Sequence, residues 1–292
     1  MVKKKPYWLD KKIKFSDLNY VRELFRGRNV HTICHQAGCP NISECFSRKT
    51  ATFLILGDVC TRGCAFCNVK KGTPEPVNEN ETDDVVALIK EMQLKFVVIT
   101  SVTRDDIKDG GAGHFCNLIH KIRNMNDAIK IEILVPDFRG DTNALSKIFN
   151  AKPDVFSHNL ETVPSLYHIR KGASFEMSMN VLKKAKEAGL LTKTGIMLGL
   201  GETLAEVTQL LNGLSKINCD FISIGQYLAP SKNNYPVKEY VKPETFEKLK
   251  NLALSLGFKH VESGPYVRSS YMAENYLLEQ HSENPKLQFG VE

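Results

Sequence analysis

An alternating α/β fold built from parallel strand–helix units is the architecture this sequence predicts. Three observations carry that reading. Short apolar runs recur along the chain, amphipathic segments of helical period lie between them, and capping residues stand where those segments begin and end. Six strands alternate with six helices, with no internal repeat or low-complexity stretch.

The first strand is Thr52–Gly57 (TFLILG). Thr82 is expected to cap a helix reaching Leu94, with Asp83 and Asp84 at its positive end and Val85, Leu88, Ile89 and Met92 at helical spacing. Phe96–Thr100 (FVVIT) is the second strand. Phe115, Leu118, Ile119 and Ile122 mark the next helix, and Ile131–Val135 the third strand. Asp141 caps a short helix with Leu145, Ile148 and Phe149 on one face, and Asp154–His158 follows as the fourth strand. Met177–Ala188 reads as a helix closed by Gly189, and Lys193–Leu198 as the fifth strand. Thr203 with Glu206 makes a capping-box pattern ahead of Leu204, Val207, Leu210, Leu211 and Leu214. Asp220–Gly225 (DFISIG) is the sixth strand. Pro243 opens the last helix and Gly257 ends it, with Phe246, Leu249, Leu252 and Leu256 inward, before a short strand candidate at His260–Ser263. Residues 1–50 show little strand pattern and read as an N-terminal extension.

Periodicity leaves two arrangements open: a doubly wound sheet, or a full or partial barrel. In a barrel, chemistry sits beyond the C-terminal strand ends. Cys60 follows the first strand, Ser101 the second, Asn159 the fourth, Gly199 the fifth and Gln226 the sixth.

A chain of 292 residues with 42% hydrophobic and 25% charged residues can bury a large core without staples. Its apolar runs are too short for a membrane helix, and the N-terminus lacks the apolar stretch of a secretory signal or the Arg/Ser content of a transit peptide. A cytoplasmic location is expected. The net charge is +6, with lysines crowded at the start (Lys3, Lys4, Lys5, Lys11, Lys12, Lys14), a solvated tail or a docking surface for an acidic partner. The basic and aromatic stripe of a nucleic-acid reader is missing.

The cysteines carry the chemistry. Six of eight lie between Cys34 and Cys67, in a chain that is too large for a disulfide scaffold, so metal or redox chemistry is expected. Cys60, Cys64 and Cys67 (CxxxCxxC) directly follow the first strand. Three thiolates at that spacing can each bind a different iron of one cubane, leaving the fourth iron open, as a catalytic centre requires. Phe66, between the last two, stands at the aromatic position of the radical S-adenosylmethionine (SAM) signature. Cys34, Cys39 and Cys45 form a second triplet, ambiguous alone between an incomplete zinc site and a cluster site; beside the first, a second cluster is the better reading. Cys116 and Cys219 read as small buried hydrophobes, and His31, His35 and His114 as structural hydrogen-bonders.

The chain resembles the lipoyl synthase family over almost its whole length. The CxxxxCxxxxxC triplet is similar to that family's auxiliary-cluster motif. Further matching stretches are TSVTRDD at Thr100–Asp106 with DGGA at Asp109–Ala112, HNLETV at His158–Val163, KTGIMLGLGET at Lys193–Thr203, GQYL at Gly225–Leu228, Gly264–Pro265, and RSSY at Arg268–Tyr271. The resemblance implies a partial (β/α)6 TIM-type barrel over 51–263, an N-terminal extension over 1–50 bearing the auxiliary cysteines, and a C-terminal extension over 264–292. It implies two [4Fe-4S] clusters, SAM, and Ser270 as the oxygen ligand of the auxiliary cluster. The implied reaction is sulfur insertion at C6 and C8 of an octanoyl-lysine. The carrier would be a lipoyl domain of a 2-oxoacid dehydrogenase E2 or a glycine cleavage H protein, and the electron donor reduced ferredoxin or flavodoxin.

Asn159, Glu161, Gly199, Gly201, Glu202 and Ser101 are expected around SAM, the glycines by permitting close backbone approach. Arg104 and Asp105, with Asp106, are expected either at the substrate mouth or in a salt-bridged loop, and Arg268 at the auxiliary cluster, at the acyl amide or in a surface ion pair. Ser157 and Thr194 depart from the family's usual Asn and Ser, and both keep a hydrogen-bonding hydroxyl. The competing readings are a biotin-synthase-like sulfur inserter, a two-cluster electron carrier and a zinc-binding interaction protein.

Overall fold

The computed structural model describes residues 5–10, 30–36, 39–47 and 50–278. Its centre is an eight-stranded sheet. The strands in chain order are β1 (His31–Thr32), β2 (Thr52–Ile55), β3 (Phe96–Ser101), β4 (Lys130–Leu134), β5 (Val155–Ser157), β6 (Thr192–Leu198), β7 (Phe221–Gln226) and β8 (His260–Gly264). Their spatial order is the same as their chain order. β1 pairs antiparallel with β2, and every later pairing is parallel.

That monotonic order decides between the two arrangements the sequence left open. A doubly wound sheet reverses its strand order once, so that right-handed crossovers cover both faces. Here nothing reverses, and the crossovers all fall on one face, as in a barrel. The helices that make them are α1 (Glu81–Glu91), α2 (Ala112–Met125), α3 (Thr142–Asn150), α4 (Phe175–Glu187), α5 (Leu204–Lys216) and α6 (Pro243–Ser255). Leu88 and Ile89 of α1, Phe115 and Ile119 of α2 and Ile148 of α3 pack with Phe53, Ile99 and Ile133 of the strands, all without solvent exposure. Val207 and Leu211 of α5 and Phe246 of α6 do the same with Ile222 and Ile224.

The inner side of the sheet is polar at one level. The Lys193 ammonium meets the Glu132 carboxylate at 2.9 Å, both side chains with 0% exposure. Ser157 Oγ donates to Glu132 Oε1 at 2.8 Å. The Tyr276 ring, from the C-terminal segment, lies 3.9 Å from Lys193 Nζ. Two buried charges are held only because each is paired and further bonded. Thr194 Oγ1 donates to the His158 carbonyl at 2.9 Å and accepts from Leu160 N–H at 3.1 Å. Ser157 and Thr194 thus keep the hydrogen-bonding role expected of them.

Several local expectations shift. α1 begins at Glu81, and Thr82 sits inside its first turn with its hydroxyl taken by Lys121 Nζ at 3.0 Å. Glu81 instead accepts from Leu56 N–H at 2.7 Å and pairs with His114 at 2.8 Å, so His114 is structural. α4 begins two residues early because Ser174 caps it. Asp154 lies outside β5 and accepts from Ile131 N–H at 2.8 Å. The N-terminal extension adds an antiparallel strand to the sheet edge, which its sequence did not announce. Asp141, Thr203 with Glu206, and Pro243 act at helix starts as expected. Among the described residues, no helix is long and apolar enough to cross a membrane.

Candidate active site at the strand ends

Cys60, Cys64 and Cys67 lie on a loop closed at its base by parallel pairing of Val59–Cys60 with Lys70–Lys71. The loop is fastened from every side. Thr61 N–H donates to the Thr103 carbonyl at 3.0 Å, Ala65 N–H to the Ile169 carbonyl at 2.8 Å, and Tyr235 N–H to the Ala65 carbonyl at 2.9 Å. Asn234 Nδ2 donates to the Cys67 carbonyl at 3.0 Å. Arg62, inside the triplet, forks to Asp137 through two bonds of 2.7 Å and to Asp105 through bonds of 2.8 and 3.0 Å. Phe66 packs with Ile169, Leu200 and Tyr227 under the loop.

The three thiols face a shared region. Burial pushes the Cys67 thiol up to about 11, and the nearby Cys64 and Cys60 sulfurs and Glu161 push the same way. Cys64 is raised by burial, against the charge of Arg170. Backbone N–H groups of Arg62 and Val69 point at Cys60 Sγ and Cys67 Sγ at 3.4 and 3.5 Å, ready to stabilise thiolates. Among the described residues, no three His, Cys, Asp or Glu close on a point that one ion could occupy. Thiols that each bind a different iron of a cubane stand further apart than the ligands of one ion, and this donor set fits a cluster. The Ser101 hydroxyl at the end of β3 is buried with no protein partner, a polar group left for a ligand.

Asn159 and Glu161 follow β5. Glu161 is held at φ 66°, outside the usual range for a side-chain-bearing residue, by a bridge to Ile196 of β6. Burial raises its pKa, opposed by Arg170 and by the Asn159 side chain beside it. Gly199 and Gly201 have φ of 94° and 119°. A side chain at Gly199 would collide with Gln226 and with the Glu239 carbonyl, so the chain's own 238–239 segment is a second reason for glycine there. Glu202 turns back on the same loop, where its carboxylate accepts from the N–H groups of Gly199, Leu200 and Gly201 at 2.6 to 3.0 Å.

Cys34 and Cys45 sit on the short helices Ile33–Gln36 and Ile42–Ser47, with Cys39 between them. Burial pushes Cys34 and Cys45 up to about 12, with added repulsion from the other thiols of the triplet. The segment after β8 closes over them. Asn41 Nδ2 donates to the Tyr266 carbonyl at 2.6 Å, and Tyr271 Oη to Glu44 Oε1 at 2.8 Å. Ser270 is half-buried in that turn, one residue from the Tyr271 contact. Arg268 donates to the Val267 carbonyl at 2.7 Å, and burial lowers its pKa against the pull of Cys39.

Of the two readings open for Arg104 and Asp105, the ion pairs of a braced loop are the one with contacts on show. Arg104 is buried, pairs with Asp106 at 2.8 Å and donates to the Leu56 carbonyl at 3.1 Å. Asp105 pairs with Arg62 and Arg139. Both therefore brace loops. Sequence reasoning missed Arg62, Asp137, Arg170, Asn234 and Ser269, whose partners lie far away in the chain. An arginine placed inside a cysteine loop was the one available signal.

Strand order, the cysteine loop and the residues around it define a radical SAM enzyme: residues 54–214 match the radical SAM superfamily. The fold is similar to that of a methylornithine synthase (TM-score 0.54, 16% identity, 86% of this chain and 82% of that one). It is also similar to Streptococcus suis SuiB bound to its precursor peptide (TM-score 0.58, 13% identity), covering 87% of this chain and 56% of that one. Within the superfamily the chain belongs to the lipoyl synthase family. It is 54% identical to the lipoyl synthase of Caldicellulosiruptor saccharolyticus over 94% of this chain and 98% of that one. It is 50% identical to that of Citrifermentans bemidjiense over 94% and 95%.

Proposed function

We propose that this chain, a radical SAM sulfurtransferase, inserts sulfur at C6 and C8 of an octanoyl chain amide-linked to a lysine of a carrier protein, forming the lipoyl group. The observation that carries this reading is the stitching of both cysteine triplets to one end of the barrel. Asn68 Nδ2, just past the first triplet, donates to the Gln36 carbonyl inside the second at 2.8 Å.

In this reading Cys60, Cys64 and Cys67 hold one [4Fe-4S] cluster with an iron left for SAM, and Cys34, Cys39, Cys45 and Ser270 hold the other. When bound, these groups supply a 5′-deoxyadenosyl radical for C–H abstraction and a source of inorganic sulfide. The chain supplies position. Arg62 locks the first cysteine loop to the strand ends through Asp137 and Asp105. Ser101, Asn159 and Glu161 present polar groups to SAM, with the backbone of 199–201 beside them. Phe66 anchors the first cysteine loop in the apolar cluster of Ile169, Leu200 and Tyr227. Ser270 would supply a hard oxygen among soft thiolates, which would make it the weakest of the auxiliary protein ligands and the first to let go.

The chain divides functionally into 1–50, 51–263 and 264–292. Its partners are the lipoyl domain of a 2-oxoacid dehydrogenase E2 or a glycine cleavage H protein, and reduced ferredoxin or flavodoxin. The reaction belongs in the cytoplasm, where thiols stay reduced. The test is anaerobic turnover of reconstituted protein with SAM, a strong reductant and an octanoyl-lysine peptide, followed by mass spectrometry. Gain of two sulfurs and loss of two hydrogens, with two deoxyadenosines per product, is expected. Deoxyadenosine without sulfur on the peptide overturns the substrate reading, and neither product from cluster-loaded protein overturns the catalytic one.

A further inference from the structure

The turn after β8 carries two adjacent serines, and the reading above uses only Ser270. Ser269 Oγ donates to Asn159 Oδ1 at 2.9 Å, across 110 residues of chain. The Asn159 amide has little freedom beyond this bond. A side-chain carbon added at Gly195 would come within 2.8 Å of Oδ1, so the amide lies directly on β6. With Oδ1 accepting from Ser269, the two N–H donors of Nδ2 remain for other partners, and the side chain lies beside the Glu161 carboxylate. Glu161 in turn neighbours Cys64 and Cys67. On its other side, the turn that carries Ser269 is bonded to the second cysteine triplet through Asn41 and Glu44.

We propose that Ser269 is a positioning residue for SAM. It sets the Asn159 amide with its donors towards Glu161, and it completes the SAM site only while the 266–271 segment is seated on the Cys39–Cys45 loop. This rests on the reading of Asn159 and Glu161 as SAM contacts. A chain whose auxiliary centre has come apart and released that segment binds SAM weakly, and so makes few radicals when no sulfur is at hand.

The experiment measures SAM dissociation constants by anaerobic equilibrium dialysis on the reconstituted full chain, for wild type, Ser269→Ala, Ser269→Thr, Asn159→Ala and Tyr271→Phe, with iron content and melting temperature determined for each. Loss of one neutral hydrogen bond raises the constant about five-fold in Ser269→Ala, and threonine, which keeps the hydroxyl, restores it. Tyr271→Phe unlatches the segment without touching Ser269 and also weakens SAM binding. In turnover, Ser269→Ala raises the KM for SAM and leaves kcat for deoxyadenosine formation near the wild-type value. Wild-type affinity in Ser269→Ala, or failure of threonine to restore it, overturns the proposal. If Ser269→Ala does not fold, wild-type affinity in Tyr271→Phe overturns it. Unchanged SAM binding in Asn159→Ala overturns the underlying reading instead, so the two failures are separable.

Discussion

Arg62 is the position at which the structure makes its sharpest quantitative statement. Its guanidinium is 8% exposed and grips Asp137, which has 0% side-chain exposure, in a bidentate pair with N–O distances of 2.7 Å. Arg62→Met removes one partner and leaves a carboxylate in the interior with the Arg139 N–H, at 3.0 Å, as its remaining bond. Breaking a buried pair from one side costs about 3–5 kcal/mol, because the surviving charge keeps its desolvation penalty and loses its compensation. Burial by itself would raise the Asp137 pKa, and the bonds and charge of Arg62 outweigh it and hold the group low. The stability from this pair is therefore present above the ordinary carboxylate range and lost as pH falls through it. In Arg62→Met, Asp137 escapes the penalty by taking up a proton, so the deficit shrinks as pH falls from 7 to 5. Urea unfolding of the apo chain at the two pH values measures this directly. Arg62→Met with Asp137→Leu, which removes both charges, recovers most of the loss. A deficit under about 1 kcal/mol at pH 7, or a double variant no better than the single, refutes the reasoning.

Other outcomes follow from the same geometry. Gly225→Ala would drive a methyl group into the Val267 carbonyl, so the C-terminal segment is displaced; iron content of reconstituted protein falls towards half while SAM binding also weakens. Ser270→Cys replaces the hard oxygen with a thiolate, and slower sulfur transfer at normal deoxyadenosine formation is expected; transfer at the wild-type rate would remove Ser270 from the role of first-leaving ligand. Buried His158 has its pKa lowered to about 4 by desolvation and by Arg170, and its Nδ1 bonds the Val135 carbonyl at 2.8 Å. The unfolded chain binds this proton below about 6.5, so stability is lost as pH falls from there towards 4, by about 3 kcal/mol. His158→Gln flattens that part of the acid-unfolding profile, and an unchanged profile would count against a neutral buried imidazole.

Most strands and helices were legible because each is a local signal: a run such as TFLILG, a period of Leu and Val, an aspartate or threonine ahead of it. Both cysteine triplets were legible for the same reason, since their spacing lies within a few residues. The local signals misled where a distant partner outbid them. Thr82 has the chemistry of a cap, but Lys121 takes its hydroxyl. For Arg104 and Asp105 a substrate contact and a salt-bridged loop were equally open, and only the fold brings Arg62 to Asp105.

The alternation of strands and helices, and the two groups of three thiols ahead of and just beyond the first strand, are written in local stretches of the chain. Folding alone established that the strands follow one another around the sheet without reversal, that Arg62 braces the first cysteine loop through residues 43 and 75 positions away, and that Ser269 reaches back to Asn159. The physical reason is range. Helix periods, caps and motif spacings act over a few residues of backbone, whereas ion pairs and hydrogen bonds between distant side chains exist only after the folded core has brought them together.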